Sequence, residues 1–487
     1  MAADPNALGP SGSAQLRGQA AIAAFFDRFA QSEGRWRRRA RTYHALVESI
    51  HRFLIPPDAK VLEIGCGSGD LLAAVKPAHG VGIDISAGMV ELARERHPEL
   101  RFEVAAGESY SAGETFDYII ASDLVPFADD LLALFEHANA HCHERSRVIV
   151  HTYSALWRPA IRLAELLRLK PYKPIRNWVS PADLRDLLEL ADFQVISESR
   201  RVLFPTRLPV ISALVNGVLA QLWPFRHLCL TYWIVARPRR PLVDDLTVSV
   251  VVPCRNEQGM IQEIIERIPE MGAGTEIVFV EGGSKDDTRG EIERQMAAHP
   301  GRNISLYGQT GKGKGNAVRD GFAVATGDVL MILDGDLTVI PEDLPKFYRA
   351  VASGHGDFIN GSRLVYDLEP GAMQFLNILG NRVFSLIFGF LMDQPVKDTL
   401  CGTKVLRREE YAAIARGRAY FGEFDPFGDF DLLLGAAKLS LKIVDMPVRY
   451  GARTYGTTNI SRFRHGWLLL TMSVLGFYNL KIKPLRA

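Results

Sequence analysis

Apolar residues occur along the chain in short runs that alternate with amphipathic stretches. The first series of strand-like runs covers residues 60–64, 80–85, 118–121, 148–152, 193–197 and 232–236. Helical periodicity fills several of the intervals between these runs. Strands that alternate with helices predict a parallel sheet with both faces covered.

A proline- and arginine-rich break at residues 237–241 ends this first series, and a new strand-like run at 246–253 opens a second one. We therefore predict two α/β domains, at 25–238 and 245–487, with a boundary near 237–245. Residues 1–24 lack the apolar core of a secretion signal, and we expect them to form a disordered leader.

The amino-acid composition limits the classes of protein to which the chain can belong. The chain has 487 residues, of which 47% are hydrophobic and 23% charged, as in a soluble globular protein with sizeable cores. A formal net charge of +1 gives no indication of nucleic-acid binding. The five cysteines are scattered and form no C-x-x-C pair, which favours a reducing compartment.

Three apolar stretches, at 210–223, 375–392 and 466–480, bear on membrane association. The first two are interrupted by polar residues and the third is shorter than the roughly 20 residues that span a bilayer, so we predict no transmembrane helix. Two interpretations remain: buried core helices, or helices in the membrane interface. The cations that would meet lipid headgroups are Arg382, Arg462, Arg464, Lys481 and Lys483.

The run VLEIGCGSGDLL (61–72) reads as a strand, a glycine turn and the start of a helix. Glycines at 65, 67 and 69 allow the backbone to pass close to a ligand. An acid, Asp84 in VGIDIS, ends the next strand about 20 residues on, where a carboxylate can accept hydrogen bonds from ribose hydroxyls.

These two segments together resemble the class I S-adenosylmethionine (SAM)-dependent methyltransferases, over about residues 25–236. The resemblance implies a Rossmann-like sheet, with Glu63, Gly65, Gly67 and Gly69 around the amino-acid end of SAM and Asp84 at its ribose. It also implies an adenine contact at 106–108, including Glu108, and places Ser122 and Asp123 in the cleft near the methyl group. Asp123, His151 and Tyr153 are candidate bases, or structural residues.

In the second series, SVVVPCRNEQG (249–259) and EIVFVEGGSKDDT (276–288) are strands that end in polar loops. A glycine–lysine loop, a helix and a strand follow, and that strand closes on Asp334, Gly335 and Asp336. Two carboxylates one residue apart at the end of a strand suit a hard divalent cation that binds a diphosphate.

This set resembles the family-2 inverting glycosyltransferases of GT-A type, and among them the dolichyl- or polyprenyl-phosphate sugar transferases. The resemblance implies a nucleotide pocket at Pro253, Arg255, Asn256 and Glu257, with Glu281 and Asp286 at the base and ribose. It further implies that Lys314 approaches the phosphates and that Asp334 and Asp336 bind Mg²⁺ or Mn²⁺.

The sequence leaves open which class of acceptor receives the sugar. NGSR (360–363) and VKDTLCGTKVLRR (396–408) resemble segments that bind an acceptor phosphate, through Arg363 and Lys404. However, FGDFDLL (427–433) offers Asp429 and Asp431, either of which could deprotonate a hydroxyl acceptor or pair with Arg363 or Lys404.

The expectation is thus a bifunctional enzyme, peripheral at the cytoplasmic face of the membrane. Its second domain would transfer a sugar from a nucleotide diphosphate to a polyprenyl or dolichyl phosphate, with Asp336 among its catalytic residues. Its first domain would methylate a linked glycan or lipid. The alternatives are a hydroxyl-acceptor transferase for a polysaccharide or glycolipid, and a domain that serves only as a scaffold.

Overall fold

The computed structural model describes residues 18–205, 209–366, 375–421, 428–451 and 462–485. The chain divides into two compact units. The first unit extends to Arg239 and also includes the segment from Lys481 onward; the second runs from Arg240 to Leu480. Each unit has a seven-stranded sheet of its own.

The strands of the first unit are β1 (Lys60–Ile64), β2 (His79–Asp84), β3 (Arg101–Val104), β4 (Phe116–Ser122), β5 (Cys142–Tyr153), β6 (Phe193–Arg201) and β7 (Thr231–Pro238). Its helices are α1 (Gln19–Arg39), α2 (Arg41–Leu54), α3 (Asp70–Val75), α4 (Ala87–Arg96), α5 (Leu131–Ala140), α6 (Arg158–Leu166), α7 (Pro181–Leu190) and α8 (Pro209–Gly217).

The sheet of the first unit has the order β3-β2-β1-β4-β5-β7-β6. Neighbours from β3 to β5 pair in parallel, whereas β7 runs antiparallel to both β5 and β6. Successive residues of β1 enter two different cores: Val61 packs in one, Leu62 and Ile64 in the other. Both faces are therefore covered, as the apolar runs predict.

The strands of the second unit are β8 (Thr247–Cys254), β9 (Gly274–Glu281), β10 (Asn303–Gly308), β11 (Val329–Ile332), β12 (Phe358–Ser362), β13 (Lys404–Arg407) and β14 (Ile443–Pro447). Its helices are α9 (Ile261–Arg267), α10 (Thr288–Ala298), α11 (Lys314–Val324), α12 (Leu344–Ala352), α13 (Phe375–Met392), α14 (Arg408–Arg416), α15 (Asp429–Lys438) and α16 (Arg462–Phe477).

The second sheet has the order β10-β9-β8-β11-β13-β12-β14. The strands from β10 to β11 are parallel, β13 is antiparallel to its two neighbours, and β12 pairs in parallel with β14. The carboxyl ends of β8, β9 and β11 consequently meet at one edge. The loops that follow these strands carry most of the residues predicted to bind a nucleotide sugar.

Three expectations need correction. Helix α1 begins at Gln19, so residues 19–24 of the expected leader are helical, because Ile22 and Phe25 bury apolar side chains. The first sheet is not wholly parallel, since β7 is antiparallel. Lys481 cannot meet lipid headgroups because it is 1% exposed, although Arg382 and Lys483 are exposed. The side chains of Arg462 and Arg464 lie outside the described part.

Among the helices of the described residues, none is long and apolar enough to cross a bilayer. Helices α13 and α16, which cover two of the three apolar stretches, pack against each other within the second unit.

Candidate active sites

The glycine turn after β1 forms the floor of a cavity in the first unit. Gly65, Gly67 and Gly69 all have positive φ, of 75°, 52° and 75°. At Gly69 a Cβ atom would stand 2.6 Å from the ring of Phe102, so both conformation and space require glycine. The Gly67 N–H donates to Asp84 Oδ2 at 2.9 Å, which fixes the turn against the end of β2.

The cavity has a volume of about 280 Å³, and its lining includes every residue that the resemblance assigned to SAM except Gly69. Glu63 is buried there, and its Oε2 has no hydrogen-bond partner among the described residues. Burial raises the pKa of Glu63 well above its usual value and also raises that of Asp84. An unfilled buried acceptor beside a ribose-binding carboxylate fits the ammonium and ribose of SAM.

Helix α1 contacts the residues at the starts of α4 and α3, a role that the sequence did not reveal. Asp27 Oδ1 accepts hydrogen bonds from Ser86 Oγ at 2.6 Å and from the Gly88 N–H at 2.9 Å. Arg37 pairs with Asp70 at 3.0 Å, at the start of α3. A single carboxylate or guanidinium on a helix gives no local sequence signal, so these contacts could be found only from the fold.

The predicted cleft residues at the end of β4 form a hydrogen-bonded group. Asp123 has φ 54° and accepts a hydrogen bond from Tyr43 O–H at 3.1 Å, whereas its buried Oδ1 accepts no hydrogen bond in the described chain and lies 3.7 Å from His151 Nδ1. Ser122 Oγ lies 3.0 Å from His151 Nδ1. Burial raises the pKa of Asp123 and lowers that of His151 to about 3, so the imidazole is neutral.

Of the three candidate bases, Asp123 and Tyr153 line the cavity and His151 lies behind them, fully buried. Burial also raises the pKa of Tyr153, which makes its phenol a poor proton acceptor at neutral pH. Asp123 is therefore the group best placed to accept a proton from a methyl acceptor. Glu108, at the predicted adenine end, accepts a hydrogen bond from the Asp129 N–H at 3.0 Å.

In the second unit the two loops predicted to bind the nucleotide interlock. The Asn256 N–H donates to Ser284 Oγ at 2.9 Å, and the Lys285 N–H donates to Asn256 Oδ1 at 2.7 Å. The Glu257 N–H donates to Thr288 Oγ1 at 3.0 Å. The loops after β8 and β9 are thus held together, with Pro253 half-buried and Arg255 exposed between them.

Two acids of these loops accept hydrogen bonds from backbone N–H groups. Glu281 Oε1 accepts from the Ser284 N–H at 2.5 Å, and Asp286 Oδ2 accepts from the Gln258 N–H at 3.3 Å. Burial alone would raise the pKa of Asp286, but hydrogen bonds from Thr288 and Gln258 lower it. The Asp286 carboxylate therefore remains ionised beside the predicted base and ribose position.

The segment after β11 brings the phosphate and metal residues together. Asp334 Oδ1 lies 2.5 Å from Lys314 Nζ, at the start of α11. A Cβ atom at Gly402 would overlap both groups, and one at Gly335 would lie 3.3 Å from the Pro253 carbonyl oxygen. Asp336 Oδ1 accepts from Thr338 Oγ1 at 2.8 Å. The loops after β8 and β11 and the loop before β13 meet at this point.

The donor set at Asp334 and Asp336 suits a divalent cation. Within the described ranges no group of three or more His, Cys, Asp or Glu side chains converges on a metal position. Two carboxylates are nevertheless enough for Mg²⁺ or Mn²⁺ when substrate phosphates and water complete the coordination. The charge of Lys314 outweighs burial and lowers the pKa of Asp334, so this ligand is ionised.

Arg363, predicted to bind the acceptor phosphate, is held in place by a residue not singled out in the sequence. Its Nε lies 2.8 Å from Asp398 Oδ2 and its Nη2 lies 2.9 Å from Asp398 Oδ1. Asp398 is buried, and despite that burial the guanidinium lowers its pKa to about 2. Lys404 is also fully buried, and its ammonium donates to the Cys401 carbonyl oxygen.

Asp431 contacts a cation that was not singled out in the sequence. Asp431 Oδ2 accepts from Arg418 Nε at 2.6 Å and is 8% exposed. The side chain of Asp429 lies outside the described part. Its backbone opens α15 directly after Gly428, where a Cβ atom would stand 2.6 Å from Gly315 Cα, next to Lys314.

The two units match the family models of two different transferases. The family model "Methyltransferase domain" matches residues 35–198, and "Glycosyl transferase family 2" matches residues 249–413. The chain belongs to glycosyltransferase family 2 through its second half, and its first half carries the methyltransferase domain.

Curated relatives match the second half. Glycosyltransferase AglJ of Haloferax volcanii is 31% identical over 225 residues, which cover 46% of this chain and 69% of that protein. The dolichol-phosphate mannosyltransferase of Pyrococcus furiosus is 29% identical over 222 residues. That match covers 44% of this chain and 59% of the mannosyltransferase, which is less than two thirds of its length.

A solved structure matches the first half. The SAM-dependent methyltransferase TM1293 of Thermotoga maritima aligns with 20% identity and a TM-score of 0.35. The alignment covers 45% of this chain and all of that protein.

Proposed function

We propose that the second unit transfers a sugar from a nucleotide diphosphate to a polyprenyl or dolichyl phosphate, with inversion at the anomeric carbon. Membership of glycosyltransferase family 2 supports the reaction class. The similarity to a dolichol-phosphate mannosyltransferase supports the class of acceptor. A phosphate acceptor is already ionised at neutral pH and needs positioning and charge neutralisation rather than a base.

The observation that carries this proposal is the set of cations around Asp334. Lys314 is in direct contact with it, and the charges of Arg363 and Lys404 also lower the pKa of its carboxyl group. All three cations are close enough for their charges to act on Asp334, and two of them are held in place by acids, Lys314 by Asp334 and Arg363 by Asp398. We assign Lys314 to the departing diphosphate and Arg363 and Lys404 to the acceptor phosphate.

Asp334 and Asp336 would hold Mg²⁺ or Mn²⁺, which neutralises the charge that develops on the diphosphate. The interlocked loops after β8 and β9 would hold the nucleotide through Pro253, Arg255, Glu257, Glu281 and Asp286. Chelation of the metal with EDTA should then abolish sugar transfer and added Mn²⁺ or Mg²⁺ should restore it.

For the first unit we propose methyl transfer from SAM to a linked glycan or lipid. Glu63 would accept from the ammonium of the cofactor and Asp84 from its ribose, while the glycine turn lets the backbone approach. SAM supplies an electrophilic methyl group when bound. Asp123, whose Oδ1 accepts no hydrogen bond in the described chain, would take the proton of the acceptor hydroxyl.

Peripheral attachment to the inner face of the cell membrane is part of this proposal. Exposed apolar side chains occur along both helices of the second unit that the sequence marked as interfacial: Leu379, Val383 and Leu386 on α13, and Trp467, Leu470 and Val474 on α16. Apolar residues on helices too short to span suit burial at the level of the headgroups.

One observation favours a second candidate, a transferase that acts on a hydroxyl acceptor. The close contact of Gly428 with Gly315 brings the backbone of Asp429 next to Lys314, where a base for an acceptor hydroxyl would be needed. In that case Asp429→Asn should abolish turnover while Mn²⁺ and nucleotide still bind. Asp431→Asn, which loses the contact with Arg418, is the matched control.

The deciding experiment combines the purified protein with Mn²⁺, a panel of nucleotide sugars, polyprenyl phosphate and SAM, followed by mass spectrometry of the organic extract. A glycosylated lipid phosphate supports the leading proposal. A further mass increase of one methyl group shows that the two units act in series. Release of nucleotide without any lipid product would contradict the leading proposal and favour the hydroxyl acceptor.

A further inference from the structure

Two lysines that no sequence motif marks line the cavity of the first unit. Lys170 and Lys173 lie in the irregular segment between α6 and α7. Lys170 Nζ is 4.3 Å from the centre of the Tyr153 ring, and Lys173 Nζ is 5.5 Å from that of Phe29. The rings of Phe26 and Phe127 lie within 6 Å of Lys173 Nζ as well.

Neither ammonium group is neutralised locally. Over the described residues no carboxylate lies within 4.0 Å of Lys170 Nζ or Lys173 Nζ, and neither side chain forms a hydrogen bond. Arg37, the other strong cation of the lining, already pairs with Glu48 and Asp70. Burial lowers the pKa of both lysines, for Lys170 to about 8 with the charge of Lys173 as a second cause.

The acids whose charges reach both lysines are Asp123 and Glu165, and those of Glu33 and Asp84 reach Lys173 as well. Asp123 and Glu165 each keep a buried carboxylate oxygen without a hydrogen-bond partner in the described chain, whereas Glu33 pairs with Arg96 and Asp84 accepts from the Gly67 N–H. The cavity therefore offers two free ammonium groups close to the proposed proton acceptor, Asp123. A ligand with an acidic group and a hydroxyl would meet both requirements.

We propose that the methyl acceptor is anionic, and that Lys170 and Lys173 bind its phosphoryl or carboxyl group while Asp123 faces the hydroxyl to be methylated. The inference rests on the proposed methyltransferase function and deepens it. In the transfer the acceptor oxygen forms a bond to the methyl carbon as the bond from that carbon to sulfur breaks. The proton goes to Asp123 and S-adenosylhomocysteine leaves.

Protection of the two lysines from acylation tests the proposal in the full chain. The protein, saturated with S-adenosylhomocysteine, is treated with a limiting amount of acetic anhydride, and mass spectrometry quantifies the acetylation of each lysine. Glucose 1-phosphate or glucuronate should slow acetylation of Lys170 and Lys173 at least about threefold. Glucose should not, and Lys60, half exposed in the same unit, should be unaffected.

Protection by the phosphate alone identifies a phosphorylated acceptor, and protection by glucuronate alone a sugar acid. No protection by either anion, or equal protection by glucose, would overturn the inference. Complete protection by S-adenosylhomocysteine alone would also overturn it, because the lysines would then belong to the cofactor. Calorimetry with S-adenosylhomocysteine separates these results from a failure of the proposed function, in which the cofactor itself does not bind.

A second inference rests on a different feature, an exposed apolar face of the first unit. Helix α6 buries only Ile161, whereas Leu163, Leu166, Leu167 and Leu169 are between 56% and 73% exposed. A second apolar segment at 222–228 contributes Leu222, Trp223, Phe225 and Leu228, with Trp223 78% exposed. The Trp157 indole N–H donates to the Leu228 carbonyl oxygen at 2.9 Å and joins the two segments.

The charges around this face identify its partner. Residues 154–169 and 222–228 contain Arg158, Arg162, Arg168 and Arg226, all exposed, and a single acid, Glu165. A contiguous apolar surface with a cationic border and an exposed tryptophan matches an anionic lipid interface. We infer that this face binds an anionic bilayer surface, independently of α13 and α16.

A local probe distinguishes this face from other membrane contacts. An environment-sensitive fluorophore is attached to Leu166→Cys and, as the control, to Leu190→Cys on α7, which is 68% exposed but outside the face. Vesicles of phosphatidylcholine and phosphatidylglycerol should shift the emission of the first label to the blue and leave the second unchanged. The shift should be smaller with phosphatidylcholine alone.

Equal behaviour of the two labels, or no shift at either position, would overturn the lipid assignment. A shift at position 166 that depends on protein concentration without vesicles would also overturn it, since a second copy of the chain would then cover the face. Leu163→Glu combined with Leu166→Glu should abolish the shift of a label at Trp223→Cys.

Discussion

At the scale of single residues, the pair Arg363–Asp398 shows how the acceptor site is held. Two parallel hydrogen bonds fix the plane of the guanidinium, and the Arg363 N–H also donates to Asp398 Oδ2 at 3.0 Å. Asn381 adds a bond of 2.7 Å to Asp398 Oδ1. The carboxylate therefore orients Arg363, and the remaining N–H groups of the guanidinium are those that would bind the proposed acceptor phosphate.

Asp398→Asn should consequently destabilise the protein and impair sugar transfer. Removal of one charge leaves the other buried without its counter-ion, which costs about 3 kcal/mol of unfolding free energy at pH 7. Turnover should fall about 100-fold as Arg363 loses its orientation. Urea unfolding and a donor-consumption assay measure the two effects. Glu263→Gln, which removes the exposed pair with Arg267, is the control and should change neither appreciably.

The same pair predicts a pH dependence. The pKa of Asp398 falls from its ordinary 3.8 to about 2 in the folded protein. Its stabilising contribution is complete above 3.8 and is lost as the pH falls towards 2. The difference in unfolding free energy between wild type and Asp398→Asn should therefore shrink over that interval. A difference that stayed constant would show that the carboxylate does not titrate with the fold.

Glu63 predicts how the cofactor binds. Its raised pKa means that the carboxyl group must lose a proton before it accepts from the ammonium of SAM, so affinity should increase with pH. Glu63→Gln should weaken binding about tenfold and flatten this pH dependence, while the melting temperature hardly changes. Calorimetry measures the affinity for SAM and its dependence on pH. Glu91→Gln, exposed on α4, is the control, and equal affinity of the two variants would contradict the role of Glu63.

Some site residues could be identified from the sequence and others could not. The difference lies in the sequence separation between each residue and the residues that it contacts. The glycine turn, Asp84 and the two acids after β11 lie in contiguous motifs, where local spacing predicts the geometry. Asp398 contacts Arg363 across 35 positions, and Tyr43 contacts Asp123 across 80. Lys170 and Lys173 enter the cavity only because a segment without a motif folds back over it.

At the scale of elements, the helix starts of α11 and α15 are packed backbone to backbone. Gly428 has φ 76° and stands so close to Gly315 that any side chain there would meet main-chain atoms. This contact sets the position of Lys314 relative to the first turn of α15. It links Lys314, the lysine proposed to bind phosphate, to the segment that contains Asp429 and Asp431.

Gly428→Ala should therefore impair sugar transfer more than it destabilises the fold. The strained φ costs about 1–3 kcal/mol, and the displaced helix start should raise KM for the nucleotide sugar. Gly417→Ala is the matched control, because Gly417 ends α14 with φ −85° and ordinary contacts of 3.6 Å. For both variants, steady-state kinetics measure the effect on sugar transfer and thermal unfolding measures the effect on stability. An unchanged KM in Gly428→Ala would show that the contact has no influence on Lys314.

Most of the predicted strands lie within a few residues of those observed, but β5 begins at Cys142 rather than at 148, and β3 had no predicted counterpart. Strand direction did not follow from the apolar runs. The run at 232–236 was assigned to a parallel sheet and belongs to antiparallel β7. A continuous run of apolar residues indicates that both faces of a strand are buried. A strand between two others is buried on both faces whether it runs parallel or antiparallel to them, so the run does not reveal its direction. Direction depends instead on the long connection between β5 and β7, which contains α6, α7, β6 and α8.

At the scale of the whole molecule, adjacent residues are anchored in different units. The Arg239 N–H donates to the Asp192 carbonyl oxygen at 2.8 Å in the first unit. Arg240 lies in the second unit, where Asp357 and Glu410 hold its guanidinium at 3.1 and 3.0 Å. Each unit also has its own apolar core, so the chain joins two bodies with separate sources of stability.

Separate cores predict separate responses to ligands in calorimetry of the full chain. S-adenosylhomocysteine at 100 times its dissociation constant should stabilise the first unit by about 2.7 kcal/mol and raise one unfolding transition. A nucleoside diphosphate with Mn²⁺ should raise the other. In Asp334→Asn the second shift should disappear and the first remain. In Glu63→Gln, with its roughly tenfold weaker binding, the first stabilisation should fall to about 1.4 kcal/mol at the same ligand concentration while the second shift remains. A single transition that both ligands raise together would instead show that the units unfold as one, and that binding in one stabilises the other.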